Sequence, residues 1–168
     1  MSIKIPLPIV AALILAALLI PPAYGQLATG NEITNDYQHR DRLAIRDLLN
    51  LYEASFNEKD IEWRMSLCLE TYQEFGFEEG EFLQVRDYEE TLDEVGGYWD
   101  SVDSLSYSMY IVDMALDGPM AFVIADTSHV APGEIHDSTV YFSLLKINGV
   151  WRIAWDSYNI YERHNSVF

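Results

Sequence analysis

The chain has 168 residues, a formal net charge of −17 at pH 7 and one cysteine. Phosphate backbones and anionic membrane surfaces repel so acidic a protein, so we expect no nucleic-acid partner. One cysteine allows no internal disulfide, and a chain of this length is expected to fold as one domain around its own core.

The N-terminus is organised like a secretory signal peptide. Lys4 precedes the apolar run IVAALILAALLI (9–20), and small residues follow at Ala23 and Gly25. We predict signal peptide 1–25, cleaved at the Gly25-Gln26 bond, and export to the periplasm or the exterior. The alternative is an uncleaved anchor. Because the apolar run is shorter than the roughly 20 residues that span a bilayer, we expect no stable membrane anchor.

The first predicted elements are a flexible segment and two helices. Residues 26–36 lack apolar periodicity and are predicted to be a flexible lead-in. Apolar residues then recur at three- and four-residue steps from Ile45 to Phe56, which predicts a helix. Asp60 is the predicted N-cap of a shorter second helix. Cys68, in the apolar pattern of that helix, is interpreted as a buried apolar residue rather than a nucleophile.

The sequence after the second helix predicts a hairpin and a third helix. Aromatic residues flank the acidic turn EEGE (78–81), which indicates a short hairpin over 71–85. Asp87 and Glu90 have the spacing of a capping box at the start of the third helix. The glycine pair 96–97 inside this helix indicates a kink or the close approach of another element.

Polar and apolar residues alternate after Ser104, which predicts four strands. Their predicted spans are 105–116, 119–130, 138–147 and 150–160. Asn148-Gly149 is a strong signal for a two-residue hairpin between the last two strands. Three helices gathered against one antiparallel sheet predict an α+β fold.

This order of elements resembles the nuclear transport factor 2-like superfamily, and within it the SnoaL-like branch. The resemblance rests on IRDLLNLYEASFNEKDIE (45–62), LDGPMAFV (116–123) and LLKINGVWRIAWDSYN (144–159). It implies a SnoaL-like domain over 37–162, followed by a C-terminal tail at 163–168. Members fold as a cone, in which a curved antiparallel sheet packs on three N-terminal helices around a pocket. Many are dimers packed through the sheet, so we expect a homodimer.

The fold hosts enzymes and binding modules, so the site decides the function. Ketosteroid isomerase, a catalytic relative, combines a carboxylate base with a tyrosine and a protonated aspartate. Tyr52 matches the tyrosine position, and it also fits a buried aromatic whose hydroxyl is hydrogen-bonded. Glu74 matches the base only after a two-residue shift from Gly76, and Ser143 occupies the aspartate position. Isomerase activity of that kind is therefore not predicted.

Three carboxylates, Asp113, Asp126 and Asp156, interrupt apolar strands. A buried carboxylate is rare unless it is paired or functional. Arg152 lies on the same predicted strand face as Asp156 and is expected to pair with it. Asp113 aligns with Tyr107 and is a candidate for polarising a small ligand. The alternative for Asp113 is a structural pairing or a solvent-facing position.

The candidate catalytic residues are Tyr52, Glu74 and Asp113, and the candidate pocket residues are Tyr72, Trp99, Tyr107 and Asp126. An aromatic pocket with one or two carboxylates suits a small apolar or cationic ligand. No nucleophile triad, phosphate loop or dinucleotide motif occurs in the sequence, and no cofactor is predicted. The leading hypothesis is an exported protein that binds a small molecule or acts as a dimeric module. The alternative is an isomerase, dehydratase or hydrolase that uses acid–base chemistry in the same pocket.

The segment HVAPGEIH (129–136) places two histidines and Glu134 around a turn. With a two-residue loop at 132–133, His129 would face His136, and Glu134 would complete a two-histidine, one-carboxylate metal set. Pro-Gly favours a type II turn, whose twist suits hairpins poorly. We therefore expect a wider loop, a polar hairpin end and no metal.

Overall fold

The computed structural model describes residues 32–164, and the predicted signal peptide and its cleavage site lie outside them. In this part of the chain the helices are α1 (Glu32–Asn57), α2 (Ile61–Ser66) and α3 (Tyr88–Ser101). The strands are β1 (Cys68–Glu78), β2 (Glu81–Asp87), β3 (Ser106–Asp117), β4 (Met120–Ala131), β5 (Glu134–Ile147) and β6 (Val150–His164). Among the described helices, none combines the length and the apolar character needed to cross a membrane.

The six strands form one curved, unclosed sheet in the order β2-β1-β6-β5-β4-β3. The predicted hairpin is confirmed as β1–β2, and the predicted four-strand meander as β3–β6. The chain crosses from β2 through α3 to the far edge at β3, and the meander then returns towards β1. Because the strands of the meander alternate in direction, β6 arrives parallel to β1. The α+β fold is therefore confirmed, with a mixed sheet instead of a wholly antiparallel one.

Helix α1 begins at Glu32, inside the segment predicted as a lead-in. Its early part is exposed, and the ion pair of Asp36 with Arg40, 2.6 Å apart on successive turns, supports it. From Ile45 onward one side of the helix is buried against the sheet, as the apolar periodicity predicts. At the other end of the chain β6 extends to His164, into the segment predicted as a tail.

Helix α3 begins with the predicted capping box, in which Asp87 and Glu90 each accept the other's backbone N–H. The glycine pair has two different environments. A Cβ on Gly96 would lie 3.0 Å from Ile61 Cγ2, so this glycine permits the close approach of α2. Gly97 faces open space.

A β-bulge in β6 determines which side chains face the helices. Leu144 pairs with Ile153 and Ser143 pairs with Trp155, so Ala154 is the extra residue. Because one extra residue reverses the alternation, Asp156 lies on the inner face of the sheet, the face that packs on the helices. Arg152 precedes the bulge and therefore lies on the opposite face from Asp156, where it donates to the carbonyl of Ser66. The predicted pairing of Arg152 with Asp156 is therefore wrong.

Two glycines provide a matched test of packing. A Cβ on Gly76 would lie 2.6 Å from the Tyr158 hydroxyl, so Gly76→Ala must displace that ring. We expect a loss of about 1–3 kcal/mol in the free energy of unfolding. Gly97→Ala meets no neighbour and should gain up to about 1 kcal/mol from helix propensity. Urea unfolding of both variants checks this, and equal effects would contradict the packing described for Gly76.

Candidate functional site

A fully buried arginine lies between the helices and the inner face of the sheet. Helix α2 carries Arg64, whose side chain is 1% exposed. Its Nη2 atom lies 2.6 Å from Glu74 Oε2. The same nitrogen donates to the hydroxyls of Tyr52 and Tyr72, at 2.9 and 3.1 Å. One guanidinium thus joins α1, α2 and β1.

Both tyrosine hydroxyls donate onward to a second buried carboxyl group. The distances to Asp156 Oδ2 are 2.9 Å from Tyr52 and 2.7 Å from Tyr72. Arg64 Nη2 is farther from this oxygen, at 3.7 Å. We call this group the Arg64 cluster, which consists of Tyr52, Arg64, Tyr72, Glu74 and Asp156.

The two carboxyl groups of the cluster have different protonation. Burial opposes the ionisation of Glu74, but Arg64 and Arg86 outweigh it and lower its pKa. Arg86 Nη1 binds the other oxygen of Glu74 at 2.6 Å. For Asp156, burial and the charge of Glu74 outweigh Arg64 and raise the pKa to about 7. Glu74 is therefore the ionised partner of the arginines, and Asp156 keeps its proton to near-neutral pH.

The tyrosines of the cluster remain neutral donors. Burial raises the pKa of both Tyr52 and Tyr72 well above the ordinary value. Burial also raises the pKa of the neighbouring Cys68 thiol to about 12. Cys68 is buried and unbridged, which fits its interpretation as a core residue and leaves it unreactive.

Two nitrogens of the buried guanidinium have no hydrogen-bond partner within residues 32–164. Arg64 Nε and Nη1 are both inaccessible to solvent and unpaired. The Arg64 guanidinium carbon lies 5.1 Å from the ring centroid of Tyr52 and 4.9 Å from that of Phe56, so cation–π contacts offset part of the cost. An unpaired buried donor costs about 1–3 kcal/mol, and more when it is charged. These N–H groups therefore favour an acceptor oxygen beside Arg64.

Two open grooves lie next to the cluster, with volumes of about 270 and 460 Å³. Both are lined by Glu70, Thr71 and Tyr88. Tyr72 also lines the smaller groove, and Met65 lines the larger one. Since Tyr72 belongs to the cluster, the smaller groove adjoins it directly.

The structure brings three of the predicted site residues together, namely Tyr52, Tyr72 and Glu74. Trp99 and Tyr107 are buried and pack on Phe56, with ring centroids 4.7 and 4.2 Å away. These two aromatic rings reach the cluster through Phe56, and neither of them lines either groove.

Asp113 and Asp126 lie apart from the cluster, exposed on the outer face of the sheet, away from the helices. Ile111 pairs with Ala125 and Asp113 with Ile124, so Val112 is an extra residue that reverses the alternation. Asp113 therefore does not share a face with Tyr107, and its carboxylate accepts the N–H of Met114. Asp126 accepts a hydrogen bond from Thr139 at 3.0 Å.

Sequence reasoning missed Arg64, the residue on which the cluster depends. Its signal was present, because Arg64 lies three residues after Ile61 and next to Met65, on the apolar side of α2. A basic residue at a core position needs a buried partner, which is how Glu74 and Asp156 could have been connected to it.

The β4–β5 hairpin has a two-residue loop, so the expected wider loop is wrong. His129 pairs directly with His136, and Ala131 pairs with Glu134. Gly133 adopts a φ of +90°, which supplies the left-handed residue that a turn after proline requires. Within residues 32–164, no group of three or more His, Cys, Asp or Glu side chains is arranged to hold a metal ion.

The chain matches no protein-family model and no curated protein. Similar solved structures include a type 2 hexachlorocyclohexane dehydrochlorinase, 13% identical, with a TM-score of 0.66 over 77% of this chain and 91% of that one. A candidate scytalone dehydratase from Novosphingobium aromaticivorans is 12% identical, with a TM-score of 0.65 over 80% and 93%. A protein of unknown function from Shewanella baltica is 17% identical, with a TM-score of 0.59 over 82% and 100%. Identities this low support a common fold and leave the activity open.

Asp156 should make the stability of the protein depend on pH. The group ionises near pH 4 in an unfolded chain and at about pH 7 when folded. Between these values the unfolded chain loses a proton that the folded chain keeps, so the free energy of unfolding falls as pH rises, by up to about 4 kcal/mol. Asp156→Asn cannot ionise and still accepts hydrogen bonds, so its stability relative to wild type should rise over this interval.

Urea unfolding at several pH values measures this difference. His129, whose pKa is lowered to about 4 by burial and by His136, contributes in the opposite direction but equally in both proteins. Glu74→Gln is the matched comparison, because it leaves Arg64 and Arg86 short of a counter-charge and should cost about 3–5 kcal/mol at neutral pH. A constant difference between Asp156→Asn and wild type would contradict the raised pKa of Asp156.

Proposed function

We propose that this chain, which has the nuclear transport factor 2-like fold, is a small-molecule-binding protein whose ligand contacts the Arg64 cluster. The observation that carries the proposal is the pair of buried, unpaired guanidinium nitrogens of Arg64. A protein core rarely leaves such donors unpaired, and each one is a strong site for an acceptor oxygen.

The surroundings of Arg64 favour a ligand with an acceptor oxygen and an apolar body. With Asp156 protonated, Glu74 is the one ionised carboxylate against Arg64, and the two unpaired guanidinium nitrogens suit a carbonyl or carboxylate oxygen. The rings of Tyr52 and Phe56 beside the guanidinium suit a flat, apolar group. The groove that includes Tyr72 is the proposed approach.

The same cluster supports an acid–base alternative. A carboxyl group with a pKa near 7 exchanges a proton readily at neutral pH, and the hydroxyls of Tyr52 and Tyr72 hold it in place. In an isomerase, dehydratase or hydrolase, Asp156 would take the proton-transfer role that the sequence assigned to Glu74. Glu74 is less suited to it, because two arginines hold it ionised.

Export and a cationic or apolar ligand also belong to the proposed function. The acidic side chains of Glu70, Asp87 and Glu89 line the smaller groove, which supports attraction of a cation to its surface. The buried guanidinium of Arg64, in contrast, supports binding of a neutral or anionic acceptor oxygen in the interior. Cationic and anionic probe molecules therefore distinguish binding in the acidic groove from binding at Arg64.

The ligand test compares benzoate, acetophenone and benzyltrimethylammonium by calorimetry. We expect benzoate or acetophenone to bind wild type, because each offers an acceptor oxygen on a flat apolar group. Arg64→Lys keeps the buried charge but removes Nε and Nη1, so binding should weaken about ten- to hundred-fold.

Arg86→Lys is the matched control for this test. Its nitrogens already bind Glu74 and Glu94, so the conservative change should leave binding within about two-fold. Binding of benzyltrimethylammonium alone would contradict an acceptor-binding site at Arg64 and support a cationic ligand in the groove.

A second candidate function, a homodimeric module, is supported by the outer face of the sheet. Large apolar side chains are exposed on this face, on four of its six strands: Phe82, Val85, Tyr110, Val112, Phe122 and Tyr141. Exposed apolar side chains concentrated on one face are typical of protein interfaces. We propose that a second copy covers it, through a symmetric contact that pairs the same surface on both subunits.

Light scattering of the purified protein measures the oligomeric state. We expect a dimer, because a patch that spans the sheet can bury the about 1,000 Å² that a stable interface needs. Tyr141→Arg places like charges face to face and should give a monomer. Leu51→Arg on α1 is the control of equal exposure, 45% against 44%, and should remain dimeric. A monomeric wild type contradicts this candidate.

A further inference from the structure

A second group of ionisable side chains lies outside the Arg64 cluster, where the β4–β5 hairpin meets α3. The Tyr98 hydroxyl donates to Glu134 Oε1 at 2.8 Å. The other oxygen of Glu134 lies 3.2 Å from His136 Nε2. The rings of His129 and His136 face each other with centroids 5.7 Å apart. We call Tyr98, His129, Glu134 and His136 the rim cluster.

The rim cluster reaches solvent, in contrast to the Arg64 cluster. The side chains of His136 and Glu134 are 16% and 39% exposed. The groups that face them come from three elements: Tyr98 from α3, His129 from β4 and Arg163 from β6. Arg163 is the register partner of His136 and forms an ion pair with Glu78.

The two histidines have different surroundings. Burial, and then the proximity of His136, lower the pKa of His129 to about 4, so His129 is neutral at pH 7. The carboxylate of Glu134 lies beside His136, and the Tyr98 bond lowers the pKa of Glu134. Of these two histidines, only His136 therefore has an ionised carboxylate close to a ring nitrogen, with Glu134 Oε2 3.2 Å from Nε2.

We infer that His136 is a general base at the rim that activates water, with Glu134 and Tyr98 as positioning residues, and that an activated carboxylic ester reports this activity. The inference rests on the chain of contacts from Tyr98 through Glu134 to His136. A carboxylate beside Nε2 favours the tautomer with its proton on that nitrogen, which leaves Nδ1 as the base. A base that is oriented by a third group is the recurrent arrangement in nucleophile and water activation.

The reaction needs only water as a second reactant. His136 Nδ1 takes a proton from a water molecule while its oxygen forms a bond to the ester carbonyl carbon. The bond from this carbon to the leaving oxygen then breaks, and the imidazolium returns its proton to the leaving group. The products are a carboxylic acid and an alcohol, and His136 regains its starting state. This activity is independent of ligand binding at Arg64.

Hydrolysis of 4-nitrophenyl acetate by the full chain tests the inference. We expect wild type to exceed an equal concentration of free histidine by about 100-fold or more, which is the contribution typical of a positioned base. His136→Gln should lower the protein-dependent rate to that of free histidine, and Glu134→Gln should lower it about ten-fold or more. The matched control is His39→Gln, because His39 is an exposed histidine on α1 and should leave the rate unchanged.

Nitrogen-15 spectra of the His136 ring separate positioning by Glu134 from a general loss of structure. Wild type should be compared with Glu134→Gln at neutral pH. We expect a proton on Nε2 in wild type, and a mixture of tautomers in Glu134→Gln with an unchanged far-ultraviolet spectrum. Each of three results would overturn the inference. These are a wild-type rate no higher than that of free histidine, a rate unchanged in His136→Gln, and a His136 tautomer unchanged in Glu134→Gln.

Discussion

The interior of this domain depends on the burial of one positive charge. Taking a guanidinium out of water costs several kcal/mol, and only close counter-charges and hydrogen bonds offset it. For Arg64 these come from Glu74, two tyrosine hydroxyls and the rings of Tyr52 and Phe56. Because these partners belong to α1 and β1, and Arg64 belongs to α2, the charge fixes how the helices lie on the sheet.

Two irregularities of the strands supply the remaining partners. The bulge at Ala154 turns Asp156 inward, where both tyrosines reach it. In β1, the register with β6 passes from Cys68 directly to Gln73, so residues 69–72 have no partner in that strand. This irregular segment brings the Tyr72 hydroxyl to the cluster. Regular strands would have placed different side chains against Arg64.

The difference between local and long-range signals explains what the sequence could predict. The periodicity from Ile45 to Phe56 and the alternation after Ser104 are local, so the helices and the meander were predictable. A bulge adds one residue without a sequence signature of its own, which is why the faces of Asp113 and Asp156 were assigned incorrectly. The partners of Arg64 lie between 8 residues (Tyr72) and 92 residues (Asp156) from it along the chain, and no local pattern connects them. The predicted width of the Pro132-Gly133 loop was wrong for another reason. A turn with a left-handed glycine after proline is uncommon in hairpins, but it fits this two-residue loop.

The same irregular segment explains how a closed interior is compatible with a binding role. Residues 69–72 pair neither with β6 nor with β2, whose register with β1 begins at Gln73. Two of them, Glu70 and Thr71, line both grooves. A shift of this segment therefore breaks none of these strand pairings, whereas a shift anywhere from Gln73 to Glu78 breaks several. Segments with few backbone bonds open at the lowest free energy. If a ligand reaches Arg64 by displacement of Tyr72 with its segment, the hydroxyl of Tyr72 gives up its bonds to Arg64 and Asp156 but no strand pairing breaks. The acceptor oxygen then binds nitrogens that no side chain of the described chain occupies.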